Sequence, residues 1–383
     1  MANASLRAYD LEAVHDVLPR GLAELANPAR APFETTERVY WPYLLAAVLV
    51  SFVVYLVQSA REARGVRGFF VFLFPGDTYK HRSTFVDFAF FFTSKALAWV
   101  LVAPWLIALP ETFRVTTTLL ARAFPHRPIV STSSIAVDIA FTVVAAIAAD
   151  FGLFVGHWLM HRVPLLWEFH KVHHSAQVMT PLTVYRQHPV DDILAISMSA
   201  LWGGIGQGVF AFAIGLEPHL VVVLGLNVVV FAFYVFGFNL RHSHVWVSYG
   251  PHISKVFISP AQHQIHHSDQ TKHFDKNLGF IFAIWDRVAG TLYVPEGREE
   301  VKFGLGSDED REFLSLWRLY ARPFISVTQN GRSMLTIGTR AIVVALAVVS
   351  ILVAVIVGGR LLPKPKPEAT TQPPTETTSV TVR

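Results

Sequence analysis

The chain has 383 residues and not one cysteine. That absence excludes disulfides, iron–sulfur clusters and thiolate metal sites. Any metal must therefore be held by His, Asp or Glu. Charge is scarce as well. Only 16% of the residues are charged, against about 25% in a typical soluble domain. Hydrophobic residues make up 52% and aromatics 13%, which points to a bilayer as solvent. The formal charge of +4 is small. It reads better as basic loops beside membrane segments than as a nucleic-acid surface. Gly-rich phosphate loops are absent. So is His-Glu-x-x-His, the zinc protease signature. No short apolar core with a small-residue cleavage site stands near the start, so no signal peptide is expected.

What is present begins with apolar runs. A bilayer span needs about 20 apolar residues, with a range of roughly 17–25. "WPYLLAAVLVSFVVYLV" (residues 41–57) qualifies, and so do runs at roughly 85–109, with Lys95, and 135–156, with Asp138 and Asp150. Runs at roughly 193–216 and 219–238, split by Glu217 and Pro218, predict a helical hairpin. A last run covers roughly 339–357, before a Pro/Thr-rich tail expected to be disordered. The spacing of Leu11, Val14, Leu18, Leu22 and Leu25 allows a short amphipathic helix interrupted at Pro19. The expected division is a polar segment 1–39, membrane spans and loops 40–134, a catalytic segment 135–300, a connector 301–338, a transmembrane helix 339–358 and a tail 359–383. The basic stretch with Arg61, Arg64, Arg67, Lys80 and Arg82 favours the cytoplasmic side by the positive-inside rule. Counting spans from there puts His157 and His242 on the same face.

Fourteen of the 17 histidines lie between His157 and His273. They are clustered: "HWLMH" (His157, His161), "HKVHH" (His170, His173, His174), "RQHP" (His188), "RHSH" (His242, His244) and "HQIHH" (His263, His266, His267). Residues three or four apart share a helix face. His157 and His161 therefore point the same way, and each His-x-x-His-His is expected to form a three-imidazole face. Asp150, on the same stripe as His161, is costly inside a span. A hydrogen bond from a ligand histidine would explain it. So many imidazoles exceed one tetrahedral zinc site and suit two metal ions. Imidazole alone is compatible with Fe, Zn, Cu or Ni. His15, His81, His126, His219 and His252 read as ordinary isolated histidines, while His244 and His273 could be ligands, neighbours of ligands or surface residues.

The order of these clusters resembles the fatty acid hydroxylase/sterol desaturase superfamily. The flanks do too: "GHWLMHRVPLLWEFHKVHHS", "TVYRQHPVDD", "SPAQHQIHHS" and "DKNLGFIFAIWDRVAGTLYVP". The resemblance covers residues 150–295. It implies an all-α, polytopic membrane bundle with a helical cap at the cytoplasmic face carrying a dinuclear metal site. It implies two iron ions, for which zinc could substitute in purified protein, that use O2 to remove hydrogen from an unactivated C–H bond of a lipid. Rebound of oxygen gives hydroxylation; loss of a second hydrogen gives a double bond. By position, it assigns ligand roles to His157, His161, His170, His173, His174, His188, His242, His263, His266 and His267. Asp150, Asp275, Asn277 and Asp286 become supporting residues. No His-Pro-Gly-Gly segment occurs, so a fused cytochrome b5 domain is not expected. Electrons would come from a separate cytochrome b5-like or ferredoxin-type donor, docking on the basic loop. Two other classes stay open on the residues alone, a reversible metal carrier and a zinc-dependent membrane hydrolase.

Overall fold

A computed structural model describes residues 27–58, 65–125, 134–215 and 218–330. Single-turn pieces aside, the chain runs through α1 (Trp41–Gln58), α2 (Val66–Leu73), α3 (Arg82–Leu101), α4 (Leu109–Ala123), α5 (Ile135–Arg162), α6 (Pro164–His174) and α7 (Pro189–Ile214). A hairpin of β1 (Val222–Val223) and β2 (Leu226–Asn227) follows, then α8 (Val228–Val235), α9 (Pro260–His266), α10 (Ile284–Ala289) and α11 (Leu316–Asn330). Helices dominate. Four of them, α1, α3, α5 and α7, are long and apolar enough to cross a bilayer, and the chain is an integral membrane protein.

Local chemistry sets the boundaries near the histidines. Ser134 caps α5, accepting from the Val137 N–H. At the other end Val163 is extended because Pro164 follows, and Pro164 then opens α6. His188 caps α7 through Nδ1 ahead of Pro189, and Gly215, at φ 74°, ends it in the left-handed region. Ser259 and Gln262 form a reciprocal capping box at the start of α9.

The two longest helices, α5 and α7, pack against each other, and α4 packs on the other flank of α7. Glycines allow this approach. A Cβ added at Gly152 would stand 2.2 Å from the Met198 carbonyl oxygen, and one at Gly204 would stand 2.6 Å from the Thr112 Cβ. Gly152→Val is therefore expected to destabilise the protein by about 1–3 kcal/mol, the usual scale of overpacking. A lower midpoint of thermal unfolding in detergent would register it.

The predicted hairpin of spans is not what forms. Its first arm is α7, but residues 218–238 return as the β1–β2 hairpin and the eight-residue α8. Leu224 and Gly225 both have positive φ, the backbone of a tight two-residue strand turn. The β-branched run "VVVLGLNVVV" is thus broken at its Leu-Gly. Hydrogen bonds from Val221 N–H to Thr142 Oγ1 and from the Asn227 amide to Thr142 O tie this return to α5. The possible helix around Leu11–Leu25, Glu217 of the expected turn, the run at 339–357 and the tail lie outside the described residues.

Candidate metal centre

The histidines gather at one end of α5 and α7. His157 and His161 stand on the last turns of α5, and Pro164 turns the chain so that α6 lays His170, His173 and His174 over them. α9 supplies His263 and His266, with His267 just past its end. His242 follows a 3-10 turn at Phe238–Leu240.

Nine imidazoles form two groups. His157, His161, His170, His174 and His266 make the first; His173, His242, His263 and His267 make the second. Within each group the candidate ligand atoms all lie within 4.8 Å of one another. Neither group contains a carboxylate.

The expected three-imidazole faces do not occur. Each His-x-x-His-His is divided between the groups. "HKVHH" gives its i,i+4 pair, His170 and His174, to the first group and His173 to the second. "HQIHH" does the reverse, giving His263 and His267 to the second and His266 to the first. Helical geometry explains the split. At 3.6 residues per turn, the fifth residue sits about 40° to one side of the first, and the fourth about 60° to the other. The two repeats interlock, and each helps build both groups.

The nitrogen geometry fits metal ions. In the second group His242 Nε2 lies 3.3 Å from His173 Nε2 and 3.1 Å from His263 Nε2, which is 3.2 Å from His267 Nε2. In the first, His157 and His170 bring their Nε2 atoms within 3.1 Å. A tetrahedral ion bound at about 2.0–2.1 Å has ligand edges of about 3.3 Å. The Nε2 atoms of His161, His174 and His266 are buried without a hydrogen-bond partner, which a metal would supply. Burial holds the imidazoles of His173, His174, His242, His263, His266 and His267 well below the usual histidine range, reinforced by neighbouring basic groups. It brings His170 down to about 3. These rings are neutral, the form that ligates.

The outer edges of the rings differ between groups. His157 Nδ1–H donates to Leu278 O at 2.7 Å, His266 Nδ1–H to Lys276 O at 2.9 Å and His170 Nδ1–H to the Asp191 carboxylate at 3.1 Å. His161 Nδ1 faces Asp275 at 3.4 Å, and Arg162 pairs with the same carboxylate. Such bonds fix the tautomer and aim Nε2 inward. In the second group, the Nδ1 atoms of His173, His242, His263 and His267 are buried and have no hydrogen-bond partner among the described residues.

The carbonyls come from a loop with unusual backbone. Asp275 and Asn277 have φ of 58° and 54°, a region that Asp and Asn tolerate. Asn277 is further held by its amide to Gln262 O and by the Tyr293 N–H to its carbonyl oxygen. Asp286 accepts from the Leu278 and Gly279 N–H groups, both at 2.7 Å. Asp150, expected to meet a histidine, does not. It accepts from the Ile281 and Phe282 N–H groups and from Trp285 Nε1. Its partners are two loop N–H groups and one indole of α10, which tie α5 to the segment that follows Leu278. Asn277→Val would impose a β-branched residue on left-handed backbone and remove two hydrogen bonds. It is expected to weaken metal retention about 10–100-fold, the scale of losing a ligand's supporting contact, measured by competition with a chelator.

His188 is the one expected ligand the structure leaves outside both groups. Its Nδ1 caps α7 and its Nε2 reaches Tyr320 O at 3.2 Å. The His-Pro at a helix start accounts for it, since one ring nitrogen caps α7 and the other is taken by the Tyr320 carbonyl. His244 donates to Phe72 O, and His273 pairs with Glu299, so neither joins a group. Sequence reasoning missed Asp191. Its signal was the "HPVDD" stretch, where a first-turn carboxylate follows the capping residue.

Comparison with known proteins agrees with this architecture. Residues 142–291 match the fatty acid hydroxylase family model. The chain is similar to an ornithine lipid hydroxylase of Rhizobium tropici, 29% identical over 184 residues, 48% of this chain and 50% of that one. It is similar to the human alkylglycerol monooxygenase, 27% identical over 42% of this chain and 32% of that one. It is also similar to a rat lathosterol oxidase, 30% identical over 37% of this chain and 42% of that one. The chain thus spans half or less of the length of these relatives. No solved structure matches it. Residues 142–291, which hold all nine gathered histidines, are thus the part of the chain that resembles the fatty acid hydroxylase/sterol desaturase superfamily.

Proposed function

We propose that this protein is a membrane oxygenase that hydroxylates or desaturates a lipid, with two iron ions held by the nine gathered histidines at the cytoplasmic face. The observation that carries this reading is the pair of interlocked, all-imidazole groups at the ends of membrane helices. A single-metal hydrolase would need only one such group. Iron bound there supplies reductive activation of O2 and abstraction of hydrogen from an unactivated C–H bond.

The residues of the chain do the rest. Lys276 O, Leu278 O, Asp191 and Asp275 hold the Nδ1 protons of the first group and orient its rings. A cavity of about 100 Å³ reaches His157, His170, His173, His242 and His263. Leu153, Met160, Ile196, Phe238 and Phe280 make part of its wall apolar, which suits a lipid and excludes water from a reactive centre. Ile196 is exposed on α7, so this wall borders the membrane. Electrons come from a separate carrier of cytochrome b5 or ferredoxin type. Arg67, Lys80 and Arg82, exposed beside α2 and α3, offer it a basic surface.

The test is metal content by elemental analysis of detergent-purified, dialysed protein, followed by O2 uptake with a chemical reductant and membrane lipid extract. About two retained iron ions and lipid-dependent uptake are expected. One retained metal, or full activity without O2, would overturn the reading.

A further inference from the structure

The wall of the cavity that the histidines line also holds two guanidinium groups, and neither has an acidic partner within ion-pair distance among the described residues. Arg241 is 1% exposed. Its guanidinium carbon lies 5.2 Å from the Phe233 ring and 5.4 Å from the Phe280 ring, and one terminal nitrogen donates to Gly279 O at 3.3 Å. Its Nε is buried with no hydrogen-bond partner. Arg38, half-buried, donates through one nitrogen to Val184 O and to the Gln187 side chain. Both line the cavity, together with a single carboxylate, Asp192.

A buried cation without a counter-ion is costly, and an unmet donor adds to that cost. Stacking between aromatic rings offsets part of it, but a ring offers nothing to Nε–H. Asp150 and Asp286 act on Arg241, and Asp192 and Glu37 on Arg38, only from beyond ion-pair distance. What the Arg241 Nε–H lacks is an oxygen acceptor within reach, and an anionic one suits a guanidinium best.

We infer that the cavity binds the lipid through an anionic oxygen group, a carboxylate or a phosphodiester, held by Arg241 and Arg38 beside the second histidine group. This rests on the oxygenase reading for the identity of the bound molecule as substrate, but not for its binding. Arg241 directly precedes His242 in the chain and lines the same cavity, so the anionic group lies beside the second histidine group. The carbon presented for oxidation is then close to the lipid's polar end.

The test is calorimetric titration of the full-length, metal-loaded protein in neutral detergent. The probes share one acyl chain: an N-acylglycine carrying a carboxylate, a lysophosphatidylglycerol carrying a phosphodiester, and a neutral monoacylglycerol. At least one anionic probe is expected to bind about tenfold or more tightly than the neutral one, the scale of a hydrogen bond to a charged group. Whichever anionic probe binds tighter identifies the source. Arg38→Gln and Arg241→Met are each expected to erase most of that preference. Equal binding of all three probes, or a preference that survives Arg38→Gln, would overturn the proposal. Should Arg241→Met lower the metal content and so report misfolding, the half-buried Arg38→Gln decides alone. Anionic preference without oxidation of any lipid would keep this subsite and overturn the oxygenase reading. Oxidation with no anionic preference would do the opposite.

Discussion

His267→Ala is expected to reduce the metal content from two ions per chain to about one and to lower lipid oxidation at least about 100-fold. His267 is fully buried and belongs to the second group, which has four imidazoles. Removing one leaves three rings with no hydrogen bond at Nδ1 to hold them. The first group keeps all five of its rings, four of them anchored through Nδ1. Loss of a supporting contact alone reduces metal affinity or activity about 10–100-fold, so loss of a ligand sets a larger floor. The same asymmetry orders the two ions. A chelator added in steps is expected to empty the second group first. His188→Ala serves as the contrast, since it lies outside both groups and is expected to keep two ions. Two retained ions in His267→Ala, or one in His188→Ala, would reverse the assignment. Elemental analysis reads both.

Arg186→Leu is expected to cost about 3–5 kcal/mol of stability, the usual penalty for stripping one partner from a buried ion pair. Arg186 and Asp87 are both about fully buried and 2.8 Å apart. The guanidinium also donates to Ser83 Oγ, Val172 O, Ser175 Oγ and Phe313 O. It therefore joins α3, the end of α6 and the chain before α11 at one point. Val172 and Ser175 flank His173 and His174, so the loss also loosens both metal groups. The double variant Arg186→Leu with Asp87→Leu is expected to recover part of the loss, because it leaves no unpaired buried charge. Thermal unfolding in detergent measures both. A single variant as stable as the parent would show that the pair contributes nothing.

Much of this architecture was legible in the sequence because its signals are local. Apolar length gave away α1, α3, α5 and α7, since a bilayer demands an unbroken run. The histidines were legible because three- and four-residue spacings are helix arithmetic. The segment 218–238 was not, because a β-branched run satisfies a hydropathy window as a strand or as a helix. Its turn depended on two positive φ values at Leu224 and Gly225. The division of each His-x-x-His-His was hidden for another reason. Spacing says which rings share a helix, but only the position of the partner helix says which way each ring turns. Asp191 and the carbonyls of Lys276 and Leu278 were out of reach because main-chain acceptors leave no mark in a sequence. Arg241 looked like any cation beside a histidine until its surroundings showed no ion pair for it among the described residues.

The interlocking of the two repeats has a mechanical meaning. His173 and His174 are consecutive, as are His266 and His267, and in each couple one ring serves one group and one the other. Consecutive Cα atoms stand about 3.8 Å apart across a trans peptide. The spacing of the two imidazole groups is therefore tied to covalent bonds at two places, and neither group includes a carboxylate. A carboxylate side chain can swing about its own torsions. A peptide link cannot lengthen, so the chain acts as a pair of callipers between the two groups.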